Sequence, residues 1–295
     1  MEKLQLVHNY QNNEEYRQAF NKLTKTIFGF NFENWYQKNY WNDRYLPYSY
    51  MNKDGEIISN VSVNEMDLII GGKKRKAIQI GTVMTHPDYR GKGLAAKLMN
   101  VVMQKYQEEV DFFYLFANKS VLDFYPKFGF QSSIKETVFS IDINPDDYII
   151  DREPEKLETS KQEELDRIYK LASQRQPISN EFGIDNGQDL VMFYCLYVFG
   201  DNVYYLEEDD TIVICKKSNN VLHLYDLISY KNINFKKVVG DFIDEEVEKI
   251  VFHFTPDLLE IEADSKPLIN EDDTLFIKGD FTQDKNFKCP ITGHA

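Results

Sequence analysis

The sequence predicts an α/β (α+β) protein in which a mixed, mostly antiparallel sheet is flanked by helices, with two such domains in tandem along its 295 residues. Three observations carry this. Segments of helical period alternate with strand-like runs in the order helix, helix, strands, helix, strand, helix, strand. The second half repeats that order. Between the halves, DINPDDYIIDREPEKLETSK is rich in Asp, Glu and Pro and has no sustained apolar period, so a boundary is expected near 145–160, with domains at 1–147 and 155–295.

Taken in order, Tyr16, Phe20, Leu23 and Ile27 recur at helical spacing, and the aromatic stretch Phe32 to Tyr45 predicts a second short helix before Pro47. Asn52-Lys53-Asp54-Gly55 signals a hairpin, an alternating run leads through Ile57 and Val61 to Ile70, and Gly71-Gly72 signals another hairpin. Ala77 to Thr85 reads as a central strand, and Leu94, Leu98, Val101 and Val102 mark the buried face of a helix running to about Glu109. Phe112 to Phe116 is a further strand, Ser120 can cap a short helix ending near Lys127, and Thr137 to Ile143 is expected to close the sheet.

Composition narrows the function classes. Apolar residues reach 42 % and aromatics 14 %, ample for a buried core and too rich for a disordered chain. The net charge of −14 argues against a general nucleic-acid binder. Residues 1–148 carry 18 basic and 18 acidic side chains and residues 149–295 carry 16 and 30, so all of that charge lies in the second half. Cys195, Cys215 and Cys289 are odd in number, far apart and without CxxC spacing, which indicates neither a disulfide framework nor a zinc site and suits a reducing cytoplasm. No apolar leader opens the sequence and no run approaches the roughly 18 apolar residues of a membrane span, so export and membrane insertion are not expected.

The turn Thr85-His-Pro-Asp-Tyr-Arg-Gly-Lys-Gly-Leu-Ala-Ala96 carries chemistry. Gly91 and Gly93 let the backbone curl, so successive N–H groups can face one concavity at the positive end of a helix, a geometry that binds phosphate. The spacing is neither a P-loop nor the GxGxxG of dinucleotide folds, so another phosphate ligand is implied. The run Lys73-Lys-Arg-Lys76 is read as solvated charge at a hairpin tip.

Residues 83–96 resemble the coenzyme A loop of the GNAT superfamily of N-acetyltransferases, whose pattern of Arg or Gln, two variable residues, Gly, one variable residue and Gly or Ala is met by Arg90, Gly91, Lys92, Gly93, Leu94 and Ala95. Downstream, Asn118-Lys-Ser-Val-Leu-Asp-Phe-Tyr-Pro-Lys-Phe-Gly-Phe130 resembles the family's second signature, an Asn, an aromatic-Tyr pair and a closing Gly-Phe. The resemblance covers about residues 1–145. It implies acetyl-CoA as co-substrate, with no metal. Backbone groups of Val83, Met84 and Thr85 would pair with the pantetheine arm, amides from Arg90 to Ala95 would hold the pyrophosphate, and Asn118 would contact the coenzyme arm.

Acetyl transfer from a thioester to an amine needs a neutral nucleophile, yet an alkyl ammonium of pKa near 10.4 is only about 0.04 % neutral at pH 7. Some group must take a proton, and another must protonate the departing thiolate. Tyr125 matches the family's residue for the second task, as general acid. For the base, Glu65, Asp67 and His86 are candidates by type and by nearness to the central strand, and a water chain is an alternative.

The second half opens with Ser160-Lys-Gln-Glu163, a capping box, before Leu165, Ile168, Tyr169 and Ala172 on one helical face. A helix at Leu190–Phe199, strands at Val203–Leu206, Thr211–Cys215 and Val221–Ile228, a helix near Phe235–Ile243 and a strand at Ile250–Phe254 follow. The turn Ser229-Tyr-Lys-Asn-Ile-Asn234, equivalent to the phosphate turn, has no glycine and no Arg, so this half should not bind coenzyme A. Paired GNAT-like domains with only the first active resemble the enhanced-intracellular-survival acetyltransferases, which acetylate amines on aminoglycosides and lysines. Those proteins carry a third domain, for which this chain is too short, and their terminal carboxylate reaches the first domain's active site. The tail Phe287-Lys-Cys-Pro-Ile-Thr-Gly-His-Ala295 is partly apolar, unlike a frayed end, so by resemblance Ala295 joins the catalytic candidates. The expected partner is a small cationic amine or a protein lysine. The other function considered is a coenzyme-A-binding regulatory or scaffold protein without catalysis, and transfer to an alcohol or of a longer acyl group also stays open.

Overall fold

A computed structural model describes residues 4–148, 153–269 and 272–295. The middle of the expected connection, 149–152, lies outside the described residues. Strand β1 (Gln5–His8) precedes helices α1 (Glu14–Phe28) and α2 (Glu33–Gln37), and β2 (Tyr45–Met51), β3 (Ile57–Ile70) and β4 (Lys73–Thr85) follow as antiparallel neighbours. The second helix is shorter than its aromatic run suggests, because Tyr45 onward belongs to β2. Pro47 is tolerated there because β1 pairs only with residues 48–51, so no ladder bond is lost at its missing N–H.

Helix α3 (Leu94–Tyr106) returns the chain to β5 (Phe112–Ala117), which runs parallel to β4. Leu98, Met99, Val102 and Tyr106 of α3 are buried against Val61, Ile78 and Phe113 of the sheet. The pairing of β4 with β5 spans only Ala77–Gln79 against Phe112–Tyr114. Beyond it the two strands splay apart, and among the described residues no strand lies beside that end of β4.

Strand β6 (Thr137–Asp142) does not close this sheet, contrary to the sequence expectation. It pairs instead in the second sheet, whose order is β13-β6-β12-β11-β10-β9-β7. The members added there are β7 (Glu155–Lys156), β9 (Val203–Leu206), β10 (Thr211–Ser218), β11 (Val221–Ile228), β12 (Lys249–Phe252) and β13 (Asp264–Pro267). Helices α4 (Gln162–Gln174), α5 (Gln188–Tyr197) and α6 (Phe235–Gly240) accompany them. In exchange, β14 (Thr274–Gly279) pairs antiparallel with β5, and β8 (Phe182–Asp185) pairs with the far end of β3. The sheets therefore do not divide at 147. Cutting the chain there would strip β14 from β5 and β6 from β12.

The second sheet repeats the first locally: β10 and β11 are antiparallel, β11 and β12 are parallel over Val221–Leu224 and Lys249–Phe252, and α6 lies between them in sequence. The capping box at Ser160 does not form, since α4 starts one residue later with Lys161 at its N-cap and no side-chain cap. The core is shared between the halves: Phe20, Trp35 and Trp41 of the first pack in one cluster with Leu165, Ile168, Met192 and Ile212 of the second. Trp35 Nε1 donates to the Asp189 carbonyl at 2.9 Å, tying α2 to α5.

A buried ion pair joins the ends of the exchange. Lys288 Nζ lies 2.8 Å from Glu136 Oε2, and the Cys289 amide donates to Glu136 Oε1 at 2.8 Å. Removing one member of such a pair strands the other charge away from water, at about 3–5 kcal/mol. Lys288→Met is expected to lower the urea-unfolding free energy by about that amount, with Lys288→Met/Glu136→Gln recovering a large part; a loss below about 1 kcal/mol in the single variant would contradict this.

Candidate active site

The splay between β4 and β5 opens into a cavity of about 580 Å³. Val83, Met84, Thr85, Arg90, Ala95, Asn118, Tyr125 and Ala295, all expected site residues, line it together with Gly81, Thr82 and Phe116. Gly91, Lys92, Gly93 and Leu94 are not among the lining residues; they form the turn above it.

Three local features build this wall. Asn60 pairs with Met84 but Ser62 with Gly81, so β4 carries one extra residue, a bulge around Thr82. Thr82 has φ 47°, a left-handed conformation that costs a β-branched residue energy, and its hydroxyl and carbonyl are held by Tyr45 Oη at 2.5 Å and Asn60 Nδ2 at 2.9 Å. Next, Gly93 is the N-cap of α3 at φ 70° and offers no side-chain cap. The first intrahelical bond runs from the Lys97 amide to the Gly93 carbonyl, so the amides of Leu94, Ala95 and Ala96 are left for an outside acceptor. A Cβ at Gly91 or Gly93 would meet nothing within 4 Å, so the space over the turn is open. This fits a bound pyrophosphate. In the second half the corresponding helix α6 is capped by Asn234, whose side chain accepts from the Lys237 amide at 3.2 Å, so its N-terminus is satisfied from within.

The third feature is the tail. Thr292 Oγ1 donates to Asp226 Oδ2 at 2.6 Å, and Asp226 is itself held by Arg175 through bonds of 2.7 and 2.8 Å. The Ile291 amide donates to the His253 carbonyl at 3.0 Å, and the Lys288 amide to Thr255 Oγ1 at 2.7 Å. The tail thus runs along the splay of the second sheet and ends in that of the first. A Cβ at Gly293 would lie 1.8 Å from Ile184 Cδ1, and one at Gly81 would lie 2.7 Å from the Ala295 carbonyl carbon. Both glycines are there for close approach, not for a turn, which is why the sequence does not announce them.

Tyr125, 6 % exposed, packs against Phe124, Phe130 and Phe276. Burial pushes its phenol up to about 12, so it stays protonated at neutral pH. Asn118, and not Ser120 as expected, caps the following turn, its Oδ1 accepting from the Ser120 amide at 3.0 Å. Arg90 Nε donates to the Thr85 carbonyl at 3.3 Å and Lys92 lies over the Tyr89 ring. The three candidate bases do not reach the cavity. Glu65 is exposed; His86 caps the turn at Asp88; Asp67, pushed up by burial but held down more by the hydrogen bond and charge of Arg44, stays below the usual carboxylate range. In the basic run, Arg75 pairs with Asp111 and Asp280 and Lys74 with Asp185.

Comparison with known proteins agrees with this geometry. Residues 10–132 match the family model for an acetyltransferase (GNAT) domain. A conserved protein of unknown function from Enterococcus faecalis V583, described as a probable N-acyltransferase, is 16 % identical at a TM-score of 0.59, covering 95 % of this chain and 73 % of its own. Eis1 from Mycobacterium abscessus is 13 % identical at 0.58, with 93 % and 73 % covered. A GCN5-related N-acetyltransferase from Kribbella flavida is 15 % identical at 0.56, with 94 % and 72 % covered. At these identities the likeness is one of fold, and it spans both sheets. No curated protein matches the chain. No helix among the described residues is long and apolar enough to cross a membrane.

The close seat of Ala295 is testable without catalysis. Gly81→Val is expected to displace the tail while leaving the fold intact, so amide hydrogen exchange at His294 and Ala295 should be much faster in the variant; equal exchange rates would mean that the tail does not depend on Gly81.

Proposed function

We propose that this chain, whose residues 10–132 match the model for an acetyltransferase (GNAT) domain, transfers the acetyl group of acetyl-CoA to a primary amine carried by a small cationic molecule or a lysine side chain. The observation that carries this reading is the convergence of the uncapped α3 turn, the unpaired edge of β4 and a protonated Tyr125 on one cavity.

Amides from Gly91 to Ala95 hold the pyrophosphate, since that of Arg90 is spent on the Pro87 carbonyl, and the open helix end supplies about half a positive charge. Main-chain groups of Val83, Met84 and Thr85 pair with the pantetheine arm, which takes the place of a strand beside β4. Asn118 meets that arm through Nδ2, since its Oδ1 is committed to the Ser120 cap. Tyr125 then gives its phenolic proton to the departing thiolate, a step worth roughly 10²–10⁴-fold.

The acceptor approaches from the side of Ile27, Phe28 and Ala295. Among the described residues Arg90 is the one cationic side chain lining the cavity and no Asp or Glu side chain lines it, so an ammonium group would be met on that side by the main-chain oxygen of Ala295. The excess of 30 acidic over 16 basic side chains in residues 149–295 favours delivery of a cation.

Calorimetry with acetyl-CoA tests the cradle: Gly93→Trp, which fills the open space at a left-handed position, is expected to abolish binding, and unchanged affinity would contradict the assignment. Coenzyme release tests the acid: Tyr125→Phe is expected to lower kcat by about 10²-fold or more with little change in acetyl-CoA affinity, whereas equal turnover would remove Tyr125 from the reaction.

A further inference from the structure

The reading above leaves the acceptor's proton without a destination. Among the described residues that line the cavity there is no carboxylate or histidine side chain, and the Tyr125 phenol, pushed up to about 12 by burial, keeps its proton at neutral pH. One residue short of Ala295, however, lies a buried histidine that the sequence reading passed over. His294 is 8 % exposed and its ring stacks face to face on Phe116, which lines the cavity, with centroids 3.6 Å apart. Its Nδ1 lies 3.6 Å from Asp273 Oδ2, while Nε2 is buried without a hydrogen-bond partner. Asp273 lines a second cavity, of about 610 Å³, on the other side of the turn that carries Tyr125.

We infer that His294, oriented by Asp273, is the group that takes the proton from the acceptor amine. The inference rests on the acetyltransferase reading of the same cavity. The carboxylate beside Nδ1 favours the tautomer protonated there, which leaves the Nε2 lone pair free, the logic by which an acid orients a histidine base. The ammonium N–H proton passes to Nε2 through a water in the cavity, and the resulting imidazolium is paired with ionised Asp273. As the amine nitrogen bonds the acetyl carbon, the C–S bond breaks and the thiolate takes the Tyr125 proton. Tyr125 recovers one from the amide nitrogen, and the imidazolium returns its proton to water once product has left. One proton is released per acetyl transferred, as the overall reaction requires.

Burial first, and then the Lys288 charge, lower the imidazole's pKa well below its ordinary value, while the Cys289 carbonyl works the other way. The ring is therefore neutral with its Nε2 lone pair available before the acceptor binds, and the imidazolium lasts only while it is paired with Asp273. Burial raises Asp273 to about 6, with Lys288 lowering and Glu136 raising it, so it is mostly ionised at pH 7. The remaining titratable neighbours, Tyr194 of α5 and the Cys289 thiol, are pushed up by burial and stay neutral.

The test uses the full chain and three acceptors, spermidine, an aminoglycoside and a lysine peptide. If the wild type releases coenzyme with none of them, the acetyltransferase reading fails and the His294 assignment falls with it. With an active wild type, His294→Gln is expected to lower kcat by about 10²-fold at unchanged acetyl-CoA affinity. Asp273→Asn should lower it less and remove the acidic limb of the kcat profile near pH 6. A histidine that acts as a base matters less for an amine already neutral at the assay pH, so the loss should shrink for an amine of pKa below 7. His294→Phe, which keeps the stack on Phe116, controls for packing and should be as impaired as His294→Gln. Wild-type kcat in His294→Phe, or an equal loss for all amines whatever their pKa, would overturn the assignment and leave the acetyltransferase reading standing.

Discussion

The tail beginning at Phe287 crosses from one splayed sheet to the other, and that crossing is the constraint on which the arrangement of the site depends. Each sheet contains one parallel pair, β4 with β5 and β11 with β12, whose strands separate beyond a short ladder. A splayed pair exposes main-chain polar groups that must be met by something. In the second sheet the chain's own tail meets some of them, through the His253 carbonyl, and docks beside them on Asp226 and Thr255. In the first it fills one end of the gap beside Gly81 and leaves the other end open. The same local topology is thereby a support in one half and a site in the other.

The difference between the halves comes down to how two helix ends are satisfied. Asn234 caps α6 with its own side chain, whereas Gly93 leaves the first amides of α3 free. An intrahelical cap contributes about 1 kcal/mol of stability, and its omission at α3 is the kind of local cost that accompanies a binding function. The Thr82 bulge is another, a strained residue held in place by Tyr45 and Asn60.

Much of this was legible in the sequence because the signals are local. The period of α1 and α3, the hairpin at Asn52–Gly55, the glycines of the α3 turn and the Asn118 to Phe130 run each depend on neighbours in the chain, and the structure gathers the expected lining residues round one cavity. What was not legible is non-local. Thr137–Asp142 reads as a strand, but nothing in its residues says which sheet it joins, and Thr274–Gly279 takes the place next to β5 from about 160 residues further along the chain. Gly81 and Gly293 have ordinary negative φ, so their reason appears only when Ala295 and Ile184 are seen beside them. His294 looked like one of five scattered histidines until the fold set it between Phe116 and Asp273.

The proposed acetyl transfer requires the tail to be part of the first sheet's site and not only a strap between the halves. The most direct measurement compares the full chain with one lacking Gly293-His294-Ala295, using calorimetry for acetyl-CoA and coenzyme release for turnover of a cationic amine, with circular dichroism to confirm folding. Intact acetyl-CoA binding with lost turnover is expected. A truncated protein that acetylates as fast as the full chain would show that the tail has no part in the reaction.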